Sequence, residues 1–405
     1  MITVSILGFG QRGRVFADAI KKYSNEVSLV AACEINQEKY HMIENEYGIS
    51  KDKLFHNEEA FFSQGKISDV LVISTMDRAH YEQTIRALNL GYDILLEKPI
   101  SPNKDEIIKI RDLANKLGRK VAVAHVLRYT KFYQTIKSII DDGKIGDIVN
   151  IHQTENVGYL HYAHSYVRGN WRNSETSSPM ILAKSCHDVD ILLFLKGKRI
   201  KRVSSFGSLY YFKKENKPTN PMDEKIYDPI KFYKENPSWM KVFTENTDVH
   251  EVFKNNELSY GKSVFEMDNN VVDNQSLLIQ FEDGTSATFI MTAFSKKTHR
   301  RIEIKGTKGE ILGDLDSNII EVLPFGDEDY KIDISTLTDD LSHHSGGDNQ
   351  LLIEFIRAIK NDTDFLTNIN YSIESHFVAL DAEESRLKDG QVIESQANWD
   401  LYDGK

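Results

Sequence analysis

Short apolar runs rich in β-branched residues alternate with amphipathic segments between Ile2 and Tyr129. This alternation is typical of parallel strands joined by helices. The predicted strands are ITVSILGF, VSLVAACEI, DVLVIST, YDILLEK and KVAVAHV. The predicted helices between them are Gln11 to Tyr23, Asn36 to Tyr47, His80 to Leu90 and Asn103 to Leu117. The pattern therefore predicts an α/β domain with a doubly wound parallel sheet.

After Tyr129 the pattern changes to longer strands of a mostly antiparallel sheet. SLLIQFEDGTSATFIMTAF predicts a hairpin that turns at Asp283-Gly284, and RRIEIKGTKGEILGD predicts a second strand pair. The helices predicted to cover one face of this sheet lie near Pro179 to Leu195, Asp348 to Lys360 and Ile373 to Leu387. The polar, weakly periodic stretch at 213–261 is expected to be an irregular excursion on the surface. We predict two domains, at residues 1–125 and 126–405.

Composition narrows the classes of partner and the compartment. A chain of 405 residues is too long for one core, and 40% hydrophobic with 27% charged residues is ordinary for a globular protein. The net charge of −11 disfavours nucleic acid and anionic membranes as partners. No apolar leader follows Met1, so a cytoplasmic protein is expected. Cys33 and Cys186 form neither a C-x-x-C site nor a disulfide framework.

A glycine loop, Gly8, Gly10 and Gly13, links the first predicted strand to the first predicted helix. In this context G-x-G-x-x-G predicts a Rossmann domain, because the glycines permit a tight turn, close approach of a pyrophosphate and helix packing. The bare motif also serves ordinary turns, but here it has the strand-turn-helix context. The cofactor-binding set therefore includes the residues between the glycines, which are Phe9, Gln11 and Arg12.

Glu34 ends the second predicted strand, about 20 residues past the glycine loop, where a carboxylate accepts adenosine ribose hydroxyls. A 2′-phosphate would meet this negative charge, and Ile35 and Asn36 offer no arginine to offset it. The position therefore favours NAD over NADP. A solvated glutamate at a strand end is the alternative.

The tripeptide Glu97-Lys98-Pro99, together with the glycine loop, resembles the Gfo/Idh/MocA family of nicotinamide-dependent oxidoreductases. The family's entry into its second domain resembles the segment LRYTKFYQTIKSIIDDGKIGDIV. The family's active-site helix resembles the segment SSPMILAKSCHDVDILLFL. Four further segments resemble a branch of the family that is associated with carbohydrate breakdown. They are SYVRGNWRN, YGKSVFEMDNNVVDNQ, HHSGGDNQLLIEFI and SHFVALDAEESRL. The resemblance implies a C-terminal α/β domain with a large open sheet, and a homodimer or homotetramer.

The resemblance also implies the catalytic residues. Lys98 maps to the family's lysine beside the nicotinamide, where an ammonium orients a hydroxyl and stabilises oxyanion charge. His187 maps to the acid/base histidine, and Lys184 stands at i,i+3 from it on one predicted helical face. The alternatives are a surface lysine beside a proline and a structural histidine.

One position departs from the family pattern. Many sugar dehydrogenases of this fold carry an aspartate four residues before the histidine, and this chain has Ala183 there. Lys184 replaces it as a substrate ligand, or Asp188 or Asp190 orients His187; the two aspartates also suit solvated helix charges. These alternatives stay open at this stage.

Further candidate cofactor contacts rest on resemblance alone. They are Thr75, Met76, His80, Glu97, His125, Arg128, Trp171 and Arg172. Two more clusters have other interpretations. Tyr159, His161, Tyr162 and His164 suit either a sugar ring or a core, and His343 and His344 precede a turn that suits a helix start, so we predict no metal site.

Two hypotheses of function follow. The first is an NAD-dependent dehydrogenase that oxidises a hydroxyl of a sugar, sugar acid or cyclitol and passes the hydride to nicotinamide C4. The second is a glycoside-cleaving enzyme that oxidises with tightly held NAD, eliminates the aglycone and returns the hydride. A catalytically silent NAD-binding sensor is a third option, against which Lys98 and His187 argue.

Overall fold

The structure is a computed structural model that describes residues 1–237, 239 and 259–402, and it forms two compact units. The first unit comprises Met1–Tyr129, Gly346–Ile373 and the described part of 233–251. The second comprises Thr130–Phe232, the described part of 252–345, and residues 374–402.

The strands and helices are numbered in chain order over the described residues. The strands are β1 (Ile2–Leu7), β2 (Val27–Cys33), β3 (Leu54–Phe55), β4 (Val70–Ile73), β5 (Asp93–Leu96), β6 (Val121–Val123), β7 (Ile148–Gly158), β8 (Ile200–Ser208), β9 (Asn274–Phe281), β10 (Ser286–Ser295), β11 (His299–Gly306), β12 (Gly309–Asp314), β13 (Ile319–Pro324) and β14 (Tyr330–Asp333). The helices are α1 (Gln11–Lys22), α2 (Tyr40–Tyr47), α3 (Glu58–Phe62), α4 (His80–Asn89), α5 (Lys104–Leu117), α6 (Lys131–Asp141), α7 (Tyr159–Tyr162), α8 (Met180–Ala183), α9 (Cys186–Lys196), α10 (Pro229–Glu235), α11 (Ser342–Ser345), α12 (Gly347–Asn361), α13 (Ile369–Leu387) and α14 (Ser395–Tyr402).

The first unit contains a parallel sheet in the order β3-β2-β1-β4-β5-β6. This order confirms the predicted doubly wound sheet, with strands leaving β1 in both directions. The five predicted strands are present. The two-residue strand β3 was not predicted, because so short a segment carries no readable periodicity.

Helix α12 packs into the core of the first unit through Leu351, Leu352 and Phe355. These side chains share an apolar cluster with Phe16 of α1 and Val4 of β1. The prediction that Asp348 to Lys360 covers the second sheet is therefore wrong. Helix α12 is amphipathic, and its apolar stripe suits either sheet. The helical pattern alone therefore did not identify the sheet that it covers.

The second unit contains an eight-stranded sheet in the order β14-β13-β12-β11-β7-β10-β9-β8. Strands β7 and β10 pair in parallel and the other neighbours pair antiparallel. The predicted β9–β10 hairpin is confirmed, and Gly284 in its turn has φ of +87°. The predicted pair of β11 and β12 is also confirmed.

The helix predicted from Pro179 to Leu195 is broken into α8 and α9 at Lys184 and Ser185. His187 lies in the first turn of α9, and Lys184 ends α8 with φ of −113° and ψ of −54°. The predicted i,i+3 relation between these two side chains on one continuous helix is therefore wrong. A helical periodicity in the sequence does not show such a break.

The predicted surface excursion at 213–261 is wrong for part of its length. Tyr227 and Phe232 are buried, while residues 238 and 240–258 lie outside the described residues. The ring of Phe232 stacks on His164 at 4.2 Å between ring centroids.

In the cluster of Tyr159, His161, Tyr162 and His164, the side chains of Tyr162 and His164 are buried as in a core, while Tyr159 and His161 are partly exposed. The ring of Tyr162 stacks on Phe212 at 5.4 Å. Burial, and then Arg168, lower the pKa of His164 to about 3, so its ring is neutral.

Candidate active site

The glycine loop of the first unit has the geometry that a dinucleotide needs. Gly8 has φ of +91°, which favours glycine, and a Cβ on Gly13 would lie 2.2 Å from the carbonyl oxygen of Gly8. A Cβ on Gly10 would meet nothing within 4 Å. The loop therefore packs tightly at Gly8 and Gly13 and stays open at Gly10, next to the N-terminus of α1, which fits a pyrophosphate.

The residues between the glycines have different surroundings. Phe9 is buried and packs edge-on against Tyr47 at 5.3 Å, so its side chain belongs to the core. Arg12 pairs with Glu97 and Asp348 at 2.5 Å each. Its guanidinium therefore joins these two carboxylates and is already engaged, rather than available to bind a phosphate. Gln11, the first residue of α1, is partly exposed.

Lys98 follows β5 at the carboxyl end of the sheet and is partly exposed. Its backbone N–H donates to Glu97 Oε2 at 3.1 Å, while Glu97 Oε1 receives Arg12. Glu97 is buried, so it connects the glycine loop to the lysine from inside. Asp348 of α12, which was not predicted as a site residue, completes this connection by binding Arg12.

Glu34 is buried at the end of β2 and both of its carboxylate oxygens have donors. Asn36 N donates to Oε1 at 2.8 Å, and Lys39 Nζ lies 3.0 Å from Oε2. Lys39 is itself buried. This lysine was not predicted from residues 35 and 36, because it reaches back to Glu34 from one turn further along the chain.

The residues after β4 contribute mainly to the shape of the loop. His80 is buried with Nδ1 2.7 Å from Pro99 O and Nε2 3.2 Å from Thr75 O. The Thr75 hydroxyl donates to Gln83 at 2.5 Å, and Met76 is partly exposed. His80 thus braces the Lys98-Pro99 segment, and direct cofactor contacts by these residues stay a prediction.

His125 and Arg128 lie after β6 and are buried. Burial, followed by Arg128 and Lys98, lowers the pKa of His125 well below its ordinary value, so the ring is neutral. Arg128 donates to the carbonyl oxygen of Leu366 at 3.0 Å. Their contacts with a cofactor also stay a prediction.

The second unit holds Lys184 and His187 at the break between α8 and α9. Both are buried, and the ring of His187 lies 5.9 Å from the ring of His344. Lys184 Nζ is 3.5 Å from Glu155 Oε1. Position 183 carries the methyl group of a buried alanine and no carboxylate.

A buried charge cluster, which we call the Glu155 cluster, joins Glu155 of β7, Asp188 of α9, Arg300 of β11 and Lys184. Arg300 donates to Glu155 and, at 2.9 and 3.1 Å, to Asp188. Burial opposes ionisation of Glu155, but Arg300 and Lys184 outweigh it and hold its pKa below the ordinary value. Burial, with Glu155 adding to it, raises the pKa of Asp188 to about 6.

The cluster changes the interpretation of Asp188. Its oxygens accept from Arg300 and from Gln153 at 2.6 Å, so the hypothesis that Asp188 orients His187 is wrong. Glu155 and Arg300 were not predicted from the sequence. Alternation along β7 places Glu155 on the same buried face as Ile151 and Val157, and a charge on a buried strand face was the available signal.

Trp171 and Arg172 also lie in the second unit and are partly exposed. Arg172 pairs with Asp268 at 2.5 Å and donates to Gly169 O, so its guanidinium already has acceptors. The ring of Trp171 lies 6.4 Å from that of Tyr166. A role of these two residues at the cofactor stays a prediction.

The described residues also bear on metal binding and on membrane insertion. They contain no group of three His, Cys, Asp or Glu side chains placed to hold a metal ion. None of their helices is both long and apolar enough to cross a membrane. The side chain of His343 lies outside the described ones.

Comparison with curated proteins identifies dehydrogenases among the relatives. The inositol 2-dehydrogenase of Salmonella typhimurium (strain LT2) is 26% identical over 211 residues, covering 51% of this chain and 57% of that protein. The scyllo-inositol 2-dehydrogenase (NADP(+)) of Bacillus subtilis (strain 168) is 26% identical, covering 48% and 52%. The chain spans about half the length of the curated relatives it matches.

Solved structures show the same fold over nearly the whole chain. An oxidoreductase domain protein from Kribbella flavida has a TM-score of 0.76 at 17% identity, covering 97% of this chain and 98% of that one. The scyllo-inositol dehydrogenase of Lactobacillus casei with bound NAD(H) and scyllo-inositol has a TM-score of 0.69 at 20% identity, covering 98% and 99%.

Family profiles match both halves of the chain. The Gfo/Idh/MocA profile described as an oxidoreductase family with an NAD-binding Rossmann fold matches residues 2–125. The profile of the Gfo/Idh/MocA C-terminal domain matches residues 133–312. The resemblance inferred from the glycine loop and Glu97-Lys98-Pro99 is thereby confirmed, and the chain belongs to the Gfo/Idh/MocA family of oxidoreductases.

Proposed function

We propose that this protein is an NAD-dependent oxidoreductase that oxidises a hydroxyl of a sugar, sugar acid or cyclitol to a ketone. The observation that carries the proposal is the glycine loop, open at Gly10 and tied through Arg12 and Glu97 to Lys98. The inositol dehydrogenases among the relatives support the substrate class.

The proposed roles follow from the chemistry of the side chains. Bound NAD supplies the hydride acceptor at nicotinamide C4. The ammonium groups of Lys98 and Lys184 orient the reacting hydroxyl and stabilise its developing negative charge. His187 accepts the hydroxyl proton, because imidazole ordinarily titrates near working pH. The carbon loses a hydride and the oxygen loses a proton, which balances the oxidation to a ketone.

A panel of cyclitols, sugars, sugar acids and aryl glycosides, incubated with NAD, tests the proposal. We expect NADH to accumulate with at least one cyclitol, sugar or sugar acid. Release of aglycone without net NADH would instead support redox-neutral glycoside cleavage. This alternative is tested because position 183 carries alanine where many sugar dehydrogenases of this fold carry aspartate. Absence of both reactions across the panel, with NAD bound, would favour a sensor.

Exchange of Gly10 for alanine should separate cofactor binding from folding. Gly10 has φ of −78° and open space at its Cβ position, so Gly10→Ala should leave Tm within about 2 °C of the wild type. The added methyl group fills the pyrophosphate site, so calorimetry should show the Kd for NAD rising about tenfold or more. In Gly13→Ala, whose Cβ would meet Gly8 O, Tm should fall as well. Unchanged NAD affinity in Gly10→Ala would contradict this site.

NAD is the proposed cofactor because Glu34 places a carboxylate where the ribose is expected, yet Lys39 moderates that preference. Removing its ammonium in Lys39→Met leaves Glu34 uncompensated against a 2′-phosphate. We expect the Kd for NADP to rise about tenfold and that for NAD to change less than about threefold. Titration with each cofactor measures both, with Lys51→Met, an exposed lysine, as the control. An equal change for both cofactors would refute this role.

Assembly into a homodimer or homotetramer through the second sheet is also part of the proposal. Phe206, Leu278 and Ile290 of β8, β9 and β10 are exposed by 61%, 55% and 40%. Apolar side chains on one open sheet face favour contact with another copy. Light scattering in solution should give the mass of two or four chains.

A further inference from the structure

The Glu155 cluster pairs two buried carboxylates, Glu155 and Asp188, with two cations, Arg300 and Lys184. Arg300 bridges both carboxylates, and Lys184 offsets the negative charge that this bridge leaves. Lys184 has only 9% of its surface exposed and lies with Nζ 3.5 Å from Glu155 Oε1. A buried ammonium needs a nearby opposite charge, and Glu155 supplies it.

The same carboxylate also holds the backbone next to Lys184. Ser185 Oγ donates to Glu155 Oε2 at 2.9 Å, so the two oxygens of one side chain contact both residues of the break between α8 and α9. Helix α9 then begins with Cys186 and His187. A displacement of Glu155 would therefore move Lys184 and change the start of the helix that carries His187.

Asp188 serves as an internal comparison. It is as deeply buried as Glu155 and binds the same arginine, but its other partner is Gln153 rather than Lys184. Both carboxylates thus bind Arg300, and of the two it is Glu155 that contacts the lysine.

We propose that Glu155 is a positioning residue for Lys184: from strand β7 it supplies the carboxylate that orients the lysine at a site where position 183 carries none. Glu155 is fully buried and acts through the lysine rather than on the substrate. This inference rests on the proposed function in one respect, namely that Lys184 contacts the reacting hydroxyl.

A double-mutant cycle tests the proposal on the full chain with the substrate that the panel identifies. Glu155→Gln should lower kcat/KM about tenfold or more and leave the Kd for NAD within about twofold. In a Lys184→Met background the same exchange should change kcat/KM less than about twofold, because its effect passes through the lysine. An equal loss in both backgrounds would overturn the proposal.

Asp188→Asn is the matched control, since it also takes one carboxylate from Arg300. It should lower Tm as much as Glu155→Gln or more, but lower kcat/KM less than about threefold. If kcat/KM falls equally in the two variants, Glu155 has only a structural role.

A second readout needs no turnover. The rate at which acetic anhydride labels Lys184, measured by peptide mass spectrometry at pH 8, reports the population of neutral amine. Loss of a carboxylate at 3.5 Å should raise this rate about tenfold in Glu155→Gln and not in Asp188→Asn. Equal labelling of the wild type and Glu155→Gln would overturn the proposal. Faster labelling in a protein that oxidises no substrate would support the positioning role while contradicting the proposed function.

Discussion

Replacement of His187 by alanine is expected to lower kcat for the proposed oxidation by about 10²- to 10⁴-fold, the usual contribution of a positioned acid/base group. The imidazole lies in the first turn of α9 and is buried. The variant lacks the imidazole that we propose as the acceptor of the hydroxyl proton as the hydride leaves. Stopped-flow measurement of NADH formation checks the loss in the chemical step directly.

The control for His187→Ala is His344→Asn. The two rings lie 5.9 Å apart, and His344 is exposed with φ of +46°, a conformation that asparagine tolerates. This control should retain kcat within about threefold, and both variants should bind NAD with wild-type affinity. Full turnover in His187→Ala would refute the assigned role.

Features that are local in sequence were the ones that could be predicted. Gly8, Gly10 and Gly13 lie close together in the sequence, and their spacing predicts the loop. Asp283-Gly284 predicts a hairpin in the same way. The partner of α12 could not be predicted, because its apolar stripe suits the cover of any sheet. The break before His187 was equally hidden, since α8 and α9 together keep a helical pattern.

The charge partners of the candidate site join distant parts of the chain. Arg12 and Asp348 are separated by 336 positions, and Arg300 and Glu155 by 145. No spacing rule covers such pairs. Strand alternation gave part of the information, because Arg300 shares the buried face of β11 with Ile302 and Ile304. A charged residue in phase with apolar neighbours indicates a buried partner without naming it.

Removal of that arginine has the second large expected effect, this time on stability. Arg300→Met leaves Glu155 and Asp188 buried together with Lys184 as the remaining cation of the Glu155 cluster. Breaking a buried ion pair costs about 3–5 kcal/mol, which corresponds to a fall in Tm of about 10 °C for a unit of this size. Differential scanning calorimetry at pH 8 measures it.

The exposed neighbour Arg301 provides the matched control. It is 65% exposed and pairs with Asp314, so Arg301→Met should change Tm by less than about 2 °C. The deficit of Arg300→Met should also shrink from pH 8 to pH 5.5. Burial already raises the pKa of Asp188 to about 6, and loss of Arg300 raises it further. When the pKa of a carboxyl group is raised in the folded state, the folded state binds more protons than the unfolded one. The protein therefore becomes more stable as the pH falls through that pKa. An equal Tm for the two arginine variants, or a deficit independent of pH, would show that Arg300 does not neutralise these carboxylates.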